Sequence, residues 1–226
     1  MKKSGDERHM RQALSEYESK QRLARYDIPI VREELVASVE AALDAAHRIG
    51  YPVVLKACGP GLAHKTELGV VVLNINDDSA VRDGYTRIVK RAPEGMDGVL
   101  VQEMVQGRRE FICGLTRDDQ FGPCVMLGVG GIFVEVFRDV AFRVAPIEPR
   151  DAFDMMDELK GRALLGEFRG EEAVDREILS RILLGLSRMG IEEPGVSSVD
   201  INPLVVSDGK PIAVDALVLV EPRHAT

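Results

Sequence analysis

The chain has no surplus of positive charge. Its 29 Lys and Arg stand against 37 Asp and Glu, a formal net charge of -8. A polyphosphate backbone would meet a repelling surface, so the composition argues against a nucleic-acid partner. No apolar run reaches the roughly 18 residues that cross a bilayer, and no membrane partner is expected. The opening MKKSGDERHM carries two lysines with no apolar segment behind them. It reads as a disordered leader rather than a secretory signal. Cysteine is scarce: Cys58, Cys113 and Cys124 are odd in number, show no C-x-x-C spacing and have no histidine at metal-ligand intervals. That excludes a disulfide framework and a zinc knuckle, and suits reduced thiols in a cytoplasmic protein. There is no internal repeat.

What is present is an ordinary apolar fraction, 45% over 226 residues. That is enough for one large core or two small ones. Ser15 and Glu18 have capping-box spacing, so SEYESKQRLARY reads as a helix, and DIPIVREE then turns the chain. In ASVEAALDAAHRIG, Val39, Ala42, Leu43, Ala46 and Ile49 share a stripe that Gly50 ends. YPVVLKAC and GVVVLNI read as strands. Asp77 or Asp78 caps a helix with Val81, Tyr85, Ile88, Val89 and Ala92 on one side. After the loop from Pro93 to Gly98 the texture changes. GVLVQEMV, EFICGLT, PCVMLGV and IFVEVF are β-rich pieces. Two helices follow: IEPRDAFDMMDELKG, with Ala152, Phe153, Met156 and Leu159 inward, and EEAVDREILSRILLGLSRMG, with Val174, Ile178, Ile182, Leu186 and Met189 inward. Strands beside strands with helices packed on them predict an α+β fold, and the change near residue 98 predicts two lobes.

The C-terminal stretch SSVDINPLVVSDGKPIAVDALVLV poses a chemical question, because β-rich segments rarely carry carboxylates without cause. With Asp208-Gly209 as a type I′ turn, Ser207 faces Lys210. Asn202 then lies opposite Asp215, and Asp200 shares their face. Three oxygen-bearing side chains on one patch suit either Mg²⁺, which takes its remaining ligands from water and phosphate, or a solvated polar face.

Two glycine-rich stretches mimic phosphate loops and fail the test. GPGLAHKT places His64 where a P-loop needs glycine, and a strand follows it instead of a helix. What remains is a Gly-Pro-Gly segment carrying a histidine, either a nucleophile or a surface side chain. LGVGGIF would put Phe133 at the third glycine of a dinucleotide fingerprint. Gly128, Gly130 and Gly131 still suit a backbone nest for phosphate, or a tight turn. Lys56, ending the strand VVLK, is either a phosphate counter-charge or a snorkelling lysine.

Taken together, GYPVVLK, AHKTELG, GVLVQEM, QFGPCVMLGVGGIFVEVFRDVAFRVAP, DINPLVV and VDA resemble the nucleotide-binding β subunit of ADP-forming acyl-CoA synthetases (acetate–CoA ligase, ADP-forming). These are relatives of succinyl-CoA synthetase with the ATP-grasp fold. The resemblance runs from about Leu14 to Val220 in the family's order, and QFGPCVMLGVGGIFVEV and DINP carry most of its specificity. It implies a small lobe over 21–98 and a large lobe over 1–20 and 99–226, clamping ATP or ADP. It implies that Lys56 contacts phosphates, that Gln102, Glu103, Met104 and Val105 form an adenine-holding hinge, that Glu110 approaches the ribose, and that Gly130 and Gly131 lie by the phosphates. It implies Mg²⁺ on Asn202 and Asp215 with Asp200 near, and His64 as a phosphohistidine on a moving loop. The implied reaction is acyl-CoA + ADP + phosphate ⇌ carboxylic acid + ATP + CoA, shared with a CoA-binding α subunit in an α₂β₂ assembly. One departure is that Gly69 is followed by Val70 where the family usually has a second glycine, which would stiffen the loop's exit. The alternatives are a non-catalytic nucleotide-sensing module of an acyltransferase and a stand-alone carboxylate–amine ligase.

Overall fold

The computed structural model describes residues 11–62, 68–131 and 139–221. Its helices start where side chains can accept the first free backbone N–H groups. The Ser15 Oγ accepts from the Glu18 N–H and the Glu18 carboxylate accepts from the Ser15 N–H, opening α1 (Glu16–Ala24). Ser38 caps α2 (Val39–Ile49), which ends at Gly50 with φ 94°. Asp77 caps α3 (Asp78–Arg91). Pro149 stands in the first turn of α4 (Pro149–Glu158), and Asp175 caps α5 (Arg176–Glu192).

The strands form two antiparallel sheets. In the smaller, β2 (Glu33–Val36), β5 (Gly98–Glu103), β3 (Val53–Cys58) and β4 (Val71–Ile75) lie in that order. Alternation gives the sheet two faces. Val53, Leu55, Ala57, Val99 and Val101 pack with Ala42, Ala46, Val81 and Ile88 of α2 and α3 into one core. Lys56 and Gln102 therefore emerge on the other face, as does Glu33, which pairs with Gln102 across the ladder.

In the larger sheet β1 (Gln12–Ala13), β11 (Ala216–Val220), β9 (Val196–Ser207), β6 (Arg109–Asp118), β7 (Gly122–Val129) and β8 (Val140–Val144) lie in that order, and β10 (Lys210–Ala213) also pairs with β9. Leu23, Phe111, Leu115, Leu127, Met155, Met156, Ile182, Leu186 and Val218 belong to its core.

Several expectations change. The stretch read as a turn ends in the first two residues of β2, with Glu33 inward and Glu34 paired outward to Arg48. Val89 is 45% exposed, off the buried face of α3. The last helix begins at Arg176, and Val174 reaches the core just ahead of the cap at Asp175. Leu23, Tyr26 and Ile28 sit in the larger core, while β5 as far as Glu103 belongs to the smaller sheet. The strand expected at IFVEVF falls on 132–137, outside the described residues.

Candidate functional site

The C-terminal ribbon adopts the register that its turn chemistry dictates. Asp208 (φ 47°) and Gly209 (φ 72°) both take positive φ, and Ser207 faces Lys210. The same pairing continues past Pro203: the Asn202 N–H donates to the Asp215 carbonyl at 3.2 Å and the Val214 N–H to the Pro203 carbonyl at 3.1 Å. Ala216 then faces Ile201, and Leu217 faces Asp200.

Across from this ribbon stands the open face of the smaller sheet. A cavity of about 760 Å³ lies between them, lined by Lys56, Val71 and Leu73 on one side and by Asp200, Asn202, Pro203 and Asp215 on the other. The Lys56 Nζ is 3.9 Å from the Asp215 Oδ2. It donates to the Glu16 Oε1 at 2.8 Å and to the Val214 carbonyl at 3.3 Å. The Asp200 carboxyl is raised above its ordinary value, first by burial and then by the charge of Asp215. Two carboxylates that oppose each other's ionisation are relieved by a cation between them. Together with the Asn202 amide they make a set of hard oxygen donors, which fits Mg²⁺. Among the described residues no group of three or more His, Cys, Asp and Glu side chains makes a fuller ligand cage. The thiol of Cys113 is pushed up by burial and by Asp200, which leaves it protonated and inert.

Not every expected residue reaches this cavity. Gln102 is buried, and its Oε1 accepts from Lys20 at 2.9 Å. The Glu103 carboxylate accepts from the backbone N–H of Arg32 at 2.9 Å and from its guanidinium at 2.7 Å. The backbone N–H groups of Glu103 and Met104 are engaged by the carbonyls of Arg32 and Pro52. Met104 and Val105 line a second cavity with Arg109, Glu171 and Glu172. Glu110, Gly130 and Gly131 do come together: the Gly130 N–H donates to the Glu110 carbonyl at 2.7 Å, and a Cβ on Gly130 would stand 2.7 Å from the Glu110 carbonyl carbon. His64 lies outside the described residues, but Gly59 and Leu62 just before it line the first cavity. Beyond it, Val70 is fully buried and its carbonyl accepts from the Ala57 N–H at 2.9 Å.

Sequence reasoning missed Glu16 and Lys20. Glu16, Ser19, Lys20 and Leu23 make the buried face of α1, spaced as a helix spaces its core positions. Charged residues at such positions signal buried partners.

Residues 6–220 match the ATP-grasp domain family. The β subunit of ADP-forming acetate–CoA ligase I from Pyrococcus furiosus is 39% identical over 212 residues, covering 92% of this chain and 91% of that one. The chain belongs to the ATP-grasp family, among the β subunits of ADP-forming acetate–CoA ligases. A longer acetate–CoA ligase from Archaeoglobus fulgidus is 39% identical over 197 residues, covering 85% of this chain and 29% of its own length. Acetyl-coenzyme A synthetase 1 of Candidatus Korarchaeum cryptofilum, solved with coenzyme A and Ca-AMPCP, has TM-score 0.88 and 40% identity, covering 93% of this chain and 94% of its own. The same protein with Mg-AMPPCP has its phosphohistidine segment pointing towards the nucleotide binding site, with TM-score 0.81 and 40% identity, covering 91% of this chain and 92% of its own. As in that family, the fold is α+β. Among the described residues no helix is long and apolar enough to cross a membrane.

Proposed function

We propose that the cavity lined by Lys56 and Asp215 holds the phosphate end of ADP or ATP, and that His64 passes a phosphoryl group to and from it. The observation that carries this reading is the convergence on one cavity of Lys56, Asp200, Asn202 and Asp215, with Gly59 and Leu62 at its rim. Phosphoryl transfer asks little of a protein beyond positioning and charge neutralisation, and a lysine facing oxygen ligands supplies both. Asp215, Asn202 and Asp200 would hold Mg²⁺, which when bound screens phosphate charge. A histidine suits the relay because a phosphoramidate keeps a high transfer potential.

The two sheets act as two lobes, the smaller spanning about 31–103. The adenine hinge falls to Val105 and to the carbonyl oxygens of Glu103 and Met104, since the Glu103 and Met104 N–H groups are engaged within the fold and Gln102 pairs with Val54 in the ladder. Glu110 with Gly130 and Gly131 flanks the ribose and phosphates. The chain works in the cytoplasm with a CoA-binding α partner in an α₂β₂ assembly. Acyl chemistry is the partner's task, and the reaction as a whole makes ATP from acyl-CoA, ADP and phosphate. The test is ATP formation from acetyl-CoA, ADP and phosphate by the chain combined with that partner. Wild type turns over, and His64→Asn does not while still binding nucleotide. Turnover by His64→Asn would refute the relay.

A further inference from the structure

Beneath the cavity lies a cluster of buried charge. The side chain of Lys20 is 0% exposed, those of Glu16 and Glu33 1% each, and that of Lys56 8%. Two oxygens are shared between the lysines. The Glu16 Oε1 accepts from both ammonium groups at 2.8 Å, and the Val214 carbonyl accepts from Lys20 at 3.2 Å and Lys56 at 3.3 Å. Lys20 also donates to Gln102 and pairs with Glu33. Of the two lysines only Lys56 lines the cavity, and Glu16 lines it too.

This arrangement solves a problem of charge. Glu16 draws on the same Lys56 charge that an incoming phosphate needs. When Lys56 turns to phosphate, the buried Glu16 carboxylate loses a cationic partner, which is costly. Lys20, paired with Glu16 at 2.8 Å, answers both needs.

We propose that Lys20 is a positioning residue for phosphoryl transfer, keeping Glu16 neutralised when Lys56 engages phosphate. This rests on the nucleotide reading of the cavity. Glu33 completes the balance. It faces Lys20 and Glu16 from α1, Lys56 from β3 and Gln102 from β5. Burial pushes its carboxyl up to about 7 against the pull of Lys20. A protonated Glu33 leaves the Glu16–Lys20 pair neutral once Lys56 is committed to the nucleotide.

Calorimetric titration of the full chain with Mg·ADP tests the assignment. Lys20→Met weakens binding by about 10- to 100-fold, the range of one charge-assisted hydrogen bond. The charge-neutral double variant Glu16→Gln/Lys20→Met returns to within about 3-fold of wild type, because the competing anion leaves with the cation. A merely structural role would leave the double variant as weak as the single. If Lys20→Met does not fold, the double variant decides: near-wild-type affinity supports the assignment, and its loss overturns it. Weakening by Lys56→Met with Lys20→Met unchanged overturns this inference alone. A wild-type chain that binds no Mg·ADP overturns the nucleotide reading and this inference together.

Discussion

The backbone N–H of Asn202 donates to the carbonyl of Asp215 at 3.2 Å, so the two residues face each other across one ribbon. Lys56 lines the same cavity, its Nζ 3.9 Å from the Asp215 Oδ2. This juxtaposition makes a divalent cation and a phosphate tail compatible guests of one site.

Removing a carboxylate of that set weakens the cation. Asp215→Ala is expected to lower the affinity for Mn²⁺ in the presence of ADP by about 10-fold or more, read by electron paramagnetic resonance of free Mn²⁺. Its side chain is 39% exposed, so the variant folds normally. Chelation of the metal has the same effect on nucleotide binding in the wild type. An Asp215→Ala chain with undiminished Mn²⁺ affinity would remove the ribbon from the site.

Glu33 makes stability depend on pH. Its carboxyl rises from 4.5 to about 7 in the folded chain, through burial opposed by Lys20. Between those two values the folded state keeps a proton that the unfolded state has lost, so unfolding becomes easier as pH rises and the trend flattens above 7. At roughly 1.4 kcal/mol per pH unit, the loss is on the order of 3 kcal/mol. Urea midpoints measured from pH 5 to 8 should fall in the wild type and fall less steeply in Glu33→Gln. Parallel curves would show that Glu33 ionises normally.

Gly114 sits where β6 meets β9. A Cβ there would stand 2.4 Å from the Val199 carbonyl oxygen and 3.7 Å from the Asp200 Cα. Gly114→Ala therefore pushes the strands apart, at a cost of about 1–3 kcal/mol. Thermal unfolding should report that loss, and Mn²⁺ affinity should fall with it because Asp200 moves. A variant as stable as wild type would mean that the strands yield freely at this point.

Much of this was legible from local chemistry. The Asp208-Gly209 turn sets a register that runs unbroken from Lys210↔Ser207 to Leu219↔Ser198, and that register alone pairs Asn202 with Asp215. The caps read at Ser15 and Asp77 mark two helix starts. What escaped depends on partners distant in sequence. Glu33 and Glu34 end a stretch read as a turn, yet a strand position turns Glu33 inward to Lys20. The family resemblance assigns Gln102 to the hinge. Alternation sends its side chain to α1 instead, where Lys20 waits 82 residues away. Local patterns carry no record of such meetings.

The most direct test of the account is phosphate on His64. The chain is incubated with Mg·ATP labelled at the γ-phosphate, and protein-bound label is assayed for stability in base and loss in acid. The account predicts such label on the wild type and none on His64→Asn, with nucleotide affinity alike in both. A wild-type chain that binds Mg·ATP yet carries no acid-labile phosphate would contradict it and leave a nucleotide-sensing module in its place.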